Sequence, residues 1–209
     1  MQPDDDFFKH LGTLNNGTTL QQTYKAYKNS PNNYCFQLNG ALRSGFALNQ
    51  YMQCLNDVND IIRAKNNSVL TLYRMTPHHE FTPSGAEVAL NIPFKYPAFL
   101  SVTRDINVLQ RFCPAYGIPT VLKISCPIDT AMALMEEGTH VVNEAEILLQ
   151  SGTEYKIVKS SKITDQSIIQ TYVGAHNVSK HNFIYELELD VTNNSPYSNS
   201  VCQKHFFKF

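Results

Sequence analysis

Hydrophobic positions follow two different patterns along the chain, and the change comes near residue 67. Before it, apolar side chains recur at spacings of three and four residues, at Leu42, Phe46, Tyr51, Leu55, Val58, Ile61 and Ile62. That spacing puts them on one side of a helix and predicts one or two amphipathic helices over residues 39–67. A further helix is predicted at residues 19–29, where good helix formers end at a Ser-Pro-Asn-Asn turn.

After residue 67, short β-rich runs replace the helical pattern. Strands are predicted at residues 69–74, 98–103, 120–126, 141–149, 155–160 and 183–191, with a short helix at 105–112. Helices first and strands afterwards is an order typical of an α+β fold rather than an alternating βαβ fold. Residues 19–209 are expected to form a single domain.

The two ends of the chain carry turn-forming residues. Residues 1–18 contain three consecutive Asp and an Asn-Asn-Gly-Thr run, which predicts an acidic, turn-rich lead whose flexibility the pattern leaves open. The tail after residue 193 is also loop-like, and Phe206 and Phe207 near its end are expected to pack on the body of the protein.

Composition excludes several classes of protein. The chain has 209 residues, of which 43% are hydrophobic, so it can bury a core without disulfides or a structural metal. Lys and Arg number 17 against 18 Asp and Glu. A nucleic-acid-binding or membrane-binding protein would normally carry a basic surplus, so neither partner is expected.

Cysteine usage and the N-terminus bear on the working compartment. The five cysteines are odd in number and form no CxxC pair, which argues against a disulfide framework and a Cys-rich zinc site. The N-terminus has no basic segment followed by an apolar run, and no apolar stretch approaches the ~20 residues that span a bilayer. We expect a cytoplasmic protein, or one delivered to the cytosol of another cell by machinery that reads no Sec signal.

The most informative polar pair is Glu144 and Glu146, in the predicted strand at 141–149. Alternate residues of a strand share a face, so the two carboxylates are expected about 6–7 Å apart on one side. Like charges this close repel, which would raise the pKa of one carboxyl. Such pairs serve acid, base and cation-stabilising roles, although two exposed glutamates on an edge strand are the simpler explanation of the pair alone.

Other short motifs accompany the pair, each with polar residues in or after a predicted strand. In chain order they are Tyr73 and Arg74, Ser101 and Thr103, and the turn at Gly152 and Thr153. With the Glu-x-Glu motif and its Ile-Leu-Leu run, residues 55–191 resemble the mono-ADP-ribosyltransferases of the Arg–Ser–Glu class, of the bacterial toxin and effector type. The sequence departs from the family's Ser-Thr-Ser motif, because Val102 replaces the central Thr and Thr103 the last Ser.

The resemblance implies both a fold and a reaction. The fold is α+β, with two small, roughly perpendicular sheets around an NAD cleft and a helical N-terminal part. The enzyme would break the bond between nicotinamide and ribose in NAD and pass ADP-ribose to a protein. The chain has no Gly-x-Gly-x-x-Gly loop of the Rossmann type, which this family does not need, and no metal is implied.

The resemblance also implies how NAD is held. Arg74, next to Tyr73, would contact the diphosphate, for which the guanidinium fork is well shaped. Glu146 would bind the ribose 2′-hydroxyl and stabilise the oxocarbenium-like transition state. Ser101 would brace Glu146 and the nicotinamide ribose, and Thr103 would support the same strand.

Glu144 would orient or deprotonate the acceptor. The Glu-x-Glu form implies arginine as the acceptor residue. The loop at 136–140, however, lacks the aromatic residue that many relatives carry there, which leaves threonine or serine open. Either Glu144 or His140 could then be the general base, and both are expected to take part in substrate recognition.

The whole pattern predicts a bacterial virulence effector or toxin that modifies a host protein such as actin, a small GTPase or ubiquitin. Two alternatives share the fold: an NAD glycohydrolase, in which water is the acceptor, and an inactive protein-binding module. A third is unrelated, namely a thiol hydrolase that pairs Cys35 with His176 or His181. Cys35 is explained equally well by core packing.

Overall fold

The structure, a computed structural model, describes residues 3–29, 34–46, 48–62, 64–81, 88–136 and 144–193. Within these ranges it is α+β, as predicted, with the larger helices at the N-terminal end. The α-helices are α1 (Pro3–Gly12), α2 (Gly17–Asn29), α3 (Tyr34–Ser44), α4 (Met52–Ile61) and α5 (Gln166–Val173). Among the described residues, 3-10 segments lie at Leu48–Tyr51, His78–Glu80, Ile106–Phe112 and Val178–Lys180. No helix in the described ranges is both long enough and apolar enough to cross a membrane.

Each predicted strand overlaps a described one, but the short strands at Ala64–Lys65, Pro93–Lys95 and Ala131–Leu134 were not predicted. The described strands are β1 (Ala64–Lys65), β2 (Leu70–Pro77), β3 (Pro93–Lys95), β4 (Leu100–Thr103), β5 (Pro119–Cys126), β6 (Ala131–Leu134), β7 (Glu146–Leu149), β8 (Glu154–Ile163) and β9 (Ile184–Asn193). Neighbouring strands are antiparallel except β5 and β9, which run parallel. The short predicted helix at 105–112 is a 3-10 segment, and the Asp105 side chain caps it by accepting a hydrogen bond from the Asn107 amide.

The described strands form one sheet, in the order β1-β6-β7-β4-β2-β5-β9-β8-β3, and not the two separate sheets that the resemblance implied. The link between the two halves is narrow. β2 pairs with β5 along its whole length, but it pairs with β4 only at Tyr73 and Thr103. The two expected sheets are therefore joined into one by a single residue pair.

Both faces of the sheet are covered. On β5, Leu122 belongs to a large core that includes helices α1 to α4, and Val121 belongs to a smaller core around α5 and the 106–112 segment. Adjacent strand residues point to opposite faces, so the two cores lie on opposite sides of the sheet. The N-terminal helices therefore pack on one face only.

The N-terminal residues are helical where the sequence suggested turns. Phe7 and Leu11 of α1 are buried in the larger core, beside Tyr24 of α2. Burial of this apolar face offsets the weak helix propensity of the Asp-rich start. The predicted tail, with Phe206 and Phe207, lies outside the described residues.

Candidate functional site

A cleft of about 520 Å³ opens where β2 and β4 meet. Every described residue that the sequence singled out for the site lines it: Tyr73, Arg74, Ser101, Thr103, Glu144 and Glu146. Helices α2 and α3 form the facing wall and contribute Lys28, Asn39 and Arg43, which the sequence did not single out. His140 lies outside the described residues.

Glu146 begins β7, directly beside β4. It is in register with Thr103, and its Oε1 accepts a hydrogen bond from Ser101 Oγ at 2.5 Å. Ser101 and Thr103 lie two residues apart on one strand, so both point to the face that carries Glu146. The sheet therefore holds the carboxylate in one orientation at the cleft.

Glu144 is not part of that strand, and the prediction that strand alternation aligns it with Glu146 is wrong. Ala145 between them has a φ of +46°, in the left-handed region, which costs a non-glycine residue about 1–2 kcal/mol. Two hydrogen bonds hold this turn: Thr103 Oγ1 donates to the Glu144 carbonyl at 2.6 Å, and the Arg104 amide donates to the Ala145 carbonyl at 3.1 Å. The Thr103 hydroxyl thus supports the backbone under Glu144.

A third carboxylate, that of Glu136, holds the backbone on which the pair stands. Its Oε2 accepts from the Glu144 amide at 3.3 Å and its Oε1 from the Glu146 amide at 3.0 Å. It thereby takes the place of a strand partner just before β7 begins. No sequence pattern indicates this role, because Glu136 precedes Glu146 by ten residues in a stretch without a helical or strand period.

Lys28 supplies the positive charge between the carboxylates. Its Nζ donates to Glu144 Oε2 at 2.8 Å and to Glu146 Oε2, and it lies 3.8 Å from Glu136 Oε1. The lysine side chain is only 4% exposed. It is one turn beyond Tyr24 on α2, and so on the same helix face; the Tyr24 hydroxyl donates to the Leu134 carbonyl at 2.9 Å and anchors that face to the sheet.

The ammonium of Lys28 offsets the repulsion between Glu144 and Glu146 that we expected from the sequence. Burial by itself lowers the pKa of Lys28, but the attraction of Glu146 and Glu144 outweighs burial and raises that pKa above its ordinary value. The ammonium is therefore charged at neutral pH. The three carboxylates lie within 4.8 Å of one another and could hold a metal ion, but the Lys28 ammonium is the cation among them.

Arg74 connects β2 to β4, and part of its guanidinium is available to bind a ligand. Its Nη1 donates to the Ser101 carbonyl at 3.0 Å, and its Nη2 lies 3.4 Å from Glu80 Oε1. Its Nε is buried without a hydrogen-bond partner among the described residues. Burial raises the pKa of Glu80, but Arg74 and hydrogen bonds from Thr76 and Tyr96 outweigh that effect, so the pKa lies below its ordinary value.

Helix α3 brings a second guanidinium to the cleft. Arg43 Nη1 donates to the Tyr96 hydroxyl at 3.2 Å. One turn earlier, Asn39 ties the helices to the sheet: its Nδ2 donates to the Tyr27 hydroxyl at 2.9 Å and its Oδ1 accepts from the Phe99 amide at 3.0 Å. Burial raises the pKa of Tyr27, so this phenol remains neutral.

The cleft is chemically divided. One part has two arginines, and one of them has a buried N–H without a partner in the described part of the chain, so this part suits a phosphorylated ligand. The other part has Ser101 and an excess of carboxylate over ammonium, and suits a group that becomes positively charged. The volume falls within the usual range for small-molecule and cofactor sites. The residues present therefore fit a dinucleotide with a cationic leaving group.

Comparisons with known proteins identify the fold through solved structures and not through sequence. No family model matches the sequence, and no curated protein matches it. Solved structures do match. Plx2a, an ADP-ribosyltransferase toxin from Paenibacillus larvae, is 14% identical, with a TM-score of 0.66 over 91% of this chain and 92% of its own.

Two further solved structures match the fold of this chain. C3stau2 from S. aureus, solved with NAD, is 12% identical, with a TM-score of 0.66 over 91% of this chain and 93% of its own. BECa, an ADP-ribosylating toxin of a binary enterotoxin of C. perfringens, was solved with NADH. It is 14% identical, with a TM-score of 0.63 over 89% of this chain but only 45% of its own. The protein has the fold of the ADP-ribosyltransferase toxins.

Proposed function

We propose that this protein is an NAD-dependent mono-ADP-ribosyltransferase that modifies a protein. The observation that carries the proposal is the Ser101–Glu146 hydrogen bond in a cleft that also holds two arginines. A fixed carboxylate can stabilise a developing positive charge and guanidinium groups can bind phosphates, which supports the proposal. Neighbours of the same fold were solved with NAD or NADH, which supports NAD as the co-substrate.

The reaction begins with loss of nicotinamide. The bond from ribose C1′ to the pyridinium nitrogen breaks, and its electron pair neutralises the ring. Glu146 stabilises the oxocarbenium-like ribose and accepts a hydrogen bond from the 2′-hydroxyl, while Ser101 prevents the carboxylate from turning away. Arg74 and Arg43 hold the diphosphate, and Tyr73 lies beside Arg74 in the same cleft. Glu144 faces the acceptor and receives its proton.

The biological setting is part of the proposal. The solved neighbours include toxins from Paenibacillus larvae, which supports a bacterial toxin or effector. We propose that it acts in the cytosol of a host cell. The target is a host protein; actin, a small GTPase and ubiquitin are candidates of equal standing.

Transfer of label from NAD tests the function directly. Purified protein is incubated with adenine-labelled NAD and a eukaryotic cell lysate, and both released nicotinamide and labelled protein are measured. We expect a labelled band together with nicotinamide release. Release without any labelled protein would instead indicate an NAD glycohydrolase, and the absence of both would favour a protein-binding module without activity.

Arg74→Lys tests the NAD-binding role. Lysine keeps the charge but loses the planar fork, and hydrogen bonds to charged groups contribute about 1.5–3 kcal/mol, so we expect NAD to bind about tenfold or more weakly by calorimetry. Arg111→Lys is the matched control, because Arg111 is exposed and does not line the cleft. An unchanged NAD affinity in Arg74→Lys would remove Arg74 from the binding site.

A further inference from the structure

Lys28 puts a fixed positive charge at the place where an acceptor would meet the carboxylate pair. We propose that Lys28 makes this enzyme select a neutral hydroxyl group, on serine or threonine, as the acceptor and reject a cationic guanidinium. The inference rests on the proposed ADP-ribosyl transfer and names the acceptor class of the same site. It departs from the acceptor that the Glu-x-Glu spacing suggests.

A guanidinium acceptor would have to compete with Lys28 for the carboxylate of Glu144. Glu144 Oε2 already accepts from Lys28 Nζ at 2.8 Å. A guanidinium binds a carboxylate best through both oxygens at once, so it would have to share or displace this ammonium. Sharing brings two positive charges within a few ångströms of each other beside a lysine side chain that is only 4% exposed, where screening by solvent is weak and their repulsion is strong.

Displacement is opposed by the way Lys28 is held. The same ammonium also contacts Glu146, and its side chain is 4% exposed. The helix beneath it is anchored at Tyr24, whose hydroxyl donates to the Leu134 carbonyl of β6, and at Tyr27, which is buried and accepts a hydrogen bond from Asn39. The pKa of Lys28 is raised by its carboxylate partners, so the amine cannot leave the pair as a neutral group.

A hydroxyl acceptor needs no second cation, and the transfer balances without a further reactant. The C1′–N bond breaks with its electron pair going to nicotinamide, and a lone pair of the hydroxyl oxygen forms the C1′–O bond. The hydroxyl proton passes to Glu144 and then to solvent, so NAD and an alcohol yield the ADP-ribosyl O-glycoside, nicotinamide and a proton. Three carboxylates against one ammonium still leave negative charge to stabilise the ribose cation.

The test compares two small acceptors that differ only in the side chain. N-acetylserinamide and N-acetylargininamide are supplied at equal concentration with NAD, and the ADP-ribosyl product of each is measured by mass spectrometry beside total nicotinamide release. We expect wild-type protein to favour the serine compound at least about tenfold, which corresponds to about 1.4 kcal/mol. Lys28→Met should raise the share of arginine product about tenfold, because the competing charge is gone.

Two variants control for charge and folding. Lys28→Arg keeps a cation at the pair and should keep the preference for serine. Lys25→Met removes a positive charge from the same helix, but Lys25 is exposed and lies over the Phe8 ring, so the product ratio should not change. Binding of N-acetylargininamide to each folded protein, measured by NMR without NAD, adds a readout independent of turnover. Saturable binding is expected only for Lys28→Met.

The outcomes separate this inference from the function on which it rests. Equal or faster transfer to the arginine compound by wild-type protein overturns the hydroxyl preference, as does nicotinamide release with neither product, which makes water the acceptor. Guanidinium binding to the wild-type protein also overturns it, even if Lys28→Met fails to fold. Absence of nicotinamide release from NAD would overturn the proposed function itself.

Discussion

Glu146→Gln is expected to lower NAD cleavage by a factor of about 10²–10³, because it removes the charge that stabilises the ribose cation and keeps the shape of the side chain. Gln can still accept the hydrogen bond from Ser101 Oγ at Oε1. Lys28 also retains a partner in Glu144. The fold should therefore persist, and the loss should appear in kcat, measured as nicotinamide release.

Glu188→Gln is the matched control for this substitution. Glu188 lies on β9, pairs with Lys159 at 2.8 Å and does not line the cleft. Surface ion pairs of this kind contribute ~0–1 kcal/mol, so neither activity nor melting temperature should change appreciably. If Glu146→Gln cleaved NAD as fast as this control, Glu146 would not be the central carboxylate.

Lys28→Met is expected to destabilise the protein by about 3 kcal/mol at neutral pH, the usual cost of leaving a buried charge without its partner. For a chain of this size that corresponds to a fall in Tm of roughly 6–12 °C. The cost arises because Glu136, Glu144 and Glu146 would then repel one another within 4.8 Å with no cation between them. Thermal unfolding measured by circular dichroism gives the difference.

The pH dependence of that loss identifies its cause. In the variant, the three carboxylates repel one another once they are ionised, with no cation between them, so stability should fall as pH rises through the range, from about 4, in which glutamates ordinarily lose their protons. In wild-type protein the raised pKa of Lys28 means that its contribution is complete below the ordinary lysine value of 10.5 and is lost only as pH rises through the folded value. The gap between the two proteins should therefore narrow toward acid pH.

A partner variant tests the same explanation from the other side. Adding Glu144→Gln to Lys28→Met removes one of the repelling charges, so part of the lost stability should return. Lys25→Met provides the control for charge alone and should shift Tm little, since an exposed cation–π contact contributes about 0.5–1 kcal/mol. Equal melting of Lys28→Met and wild type, with parallel pH profiles, would show that the cluster does not carry the charges assigned to it.

Local patterns determined much of the architecture of this protein. The three-and-four spacing marked α3 and α4, and the short β-rich runs marked β2, β4, β5, β8 and β9, because one buried face imposes a period on the sequence whatever the partner is. The pattern failed at α1. Its apolar residues are few, and the helix forms because Phe7 and Leu11 pack on α2.

Several of the residues that line the cleft could also be predicted from the sequence. Arg74, Ser101, Glu144 and Glu146 were named from residue type, order and strand context, and they line one cleft. The strand predicted for Glu144 was wrong, because alternation assumes a regular backbone and Ala145 adopts a left-handed conformation. The Thr103 hydroxyl and the Arg104 amide hold that turn by hydrogen bonds, which no local sequence pattern predicts.

What only the tertiary structure decided is the charge balance of the site. Lys28 lies 116 residues before Glu144 and 118 before Glu146, at the end of a helix where nothing distinguishes it from Lys25. Electrostatic attraction acts through space and leaves no periodic trace in the chain, whereas the buried face of a regular helix or strand does. The sequence by itself therefore determined that this is an α+β protein and that two carboxylates belong to its candidate site. The packing of α2 on the sheet decided that an ammonium lies between them.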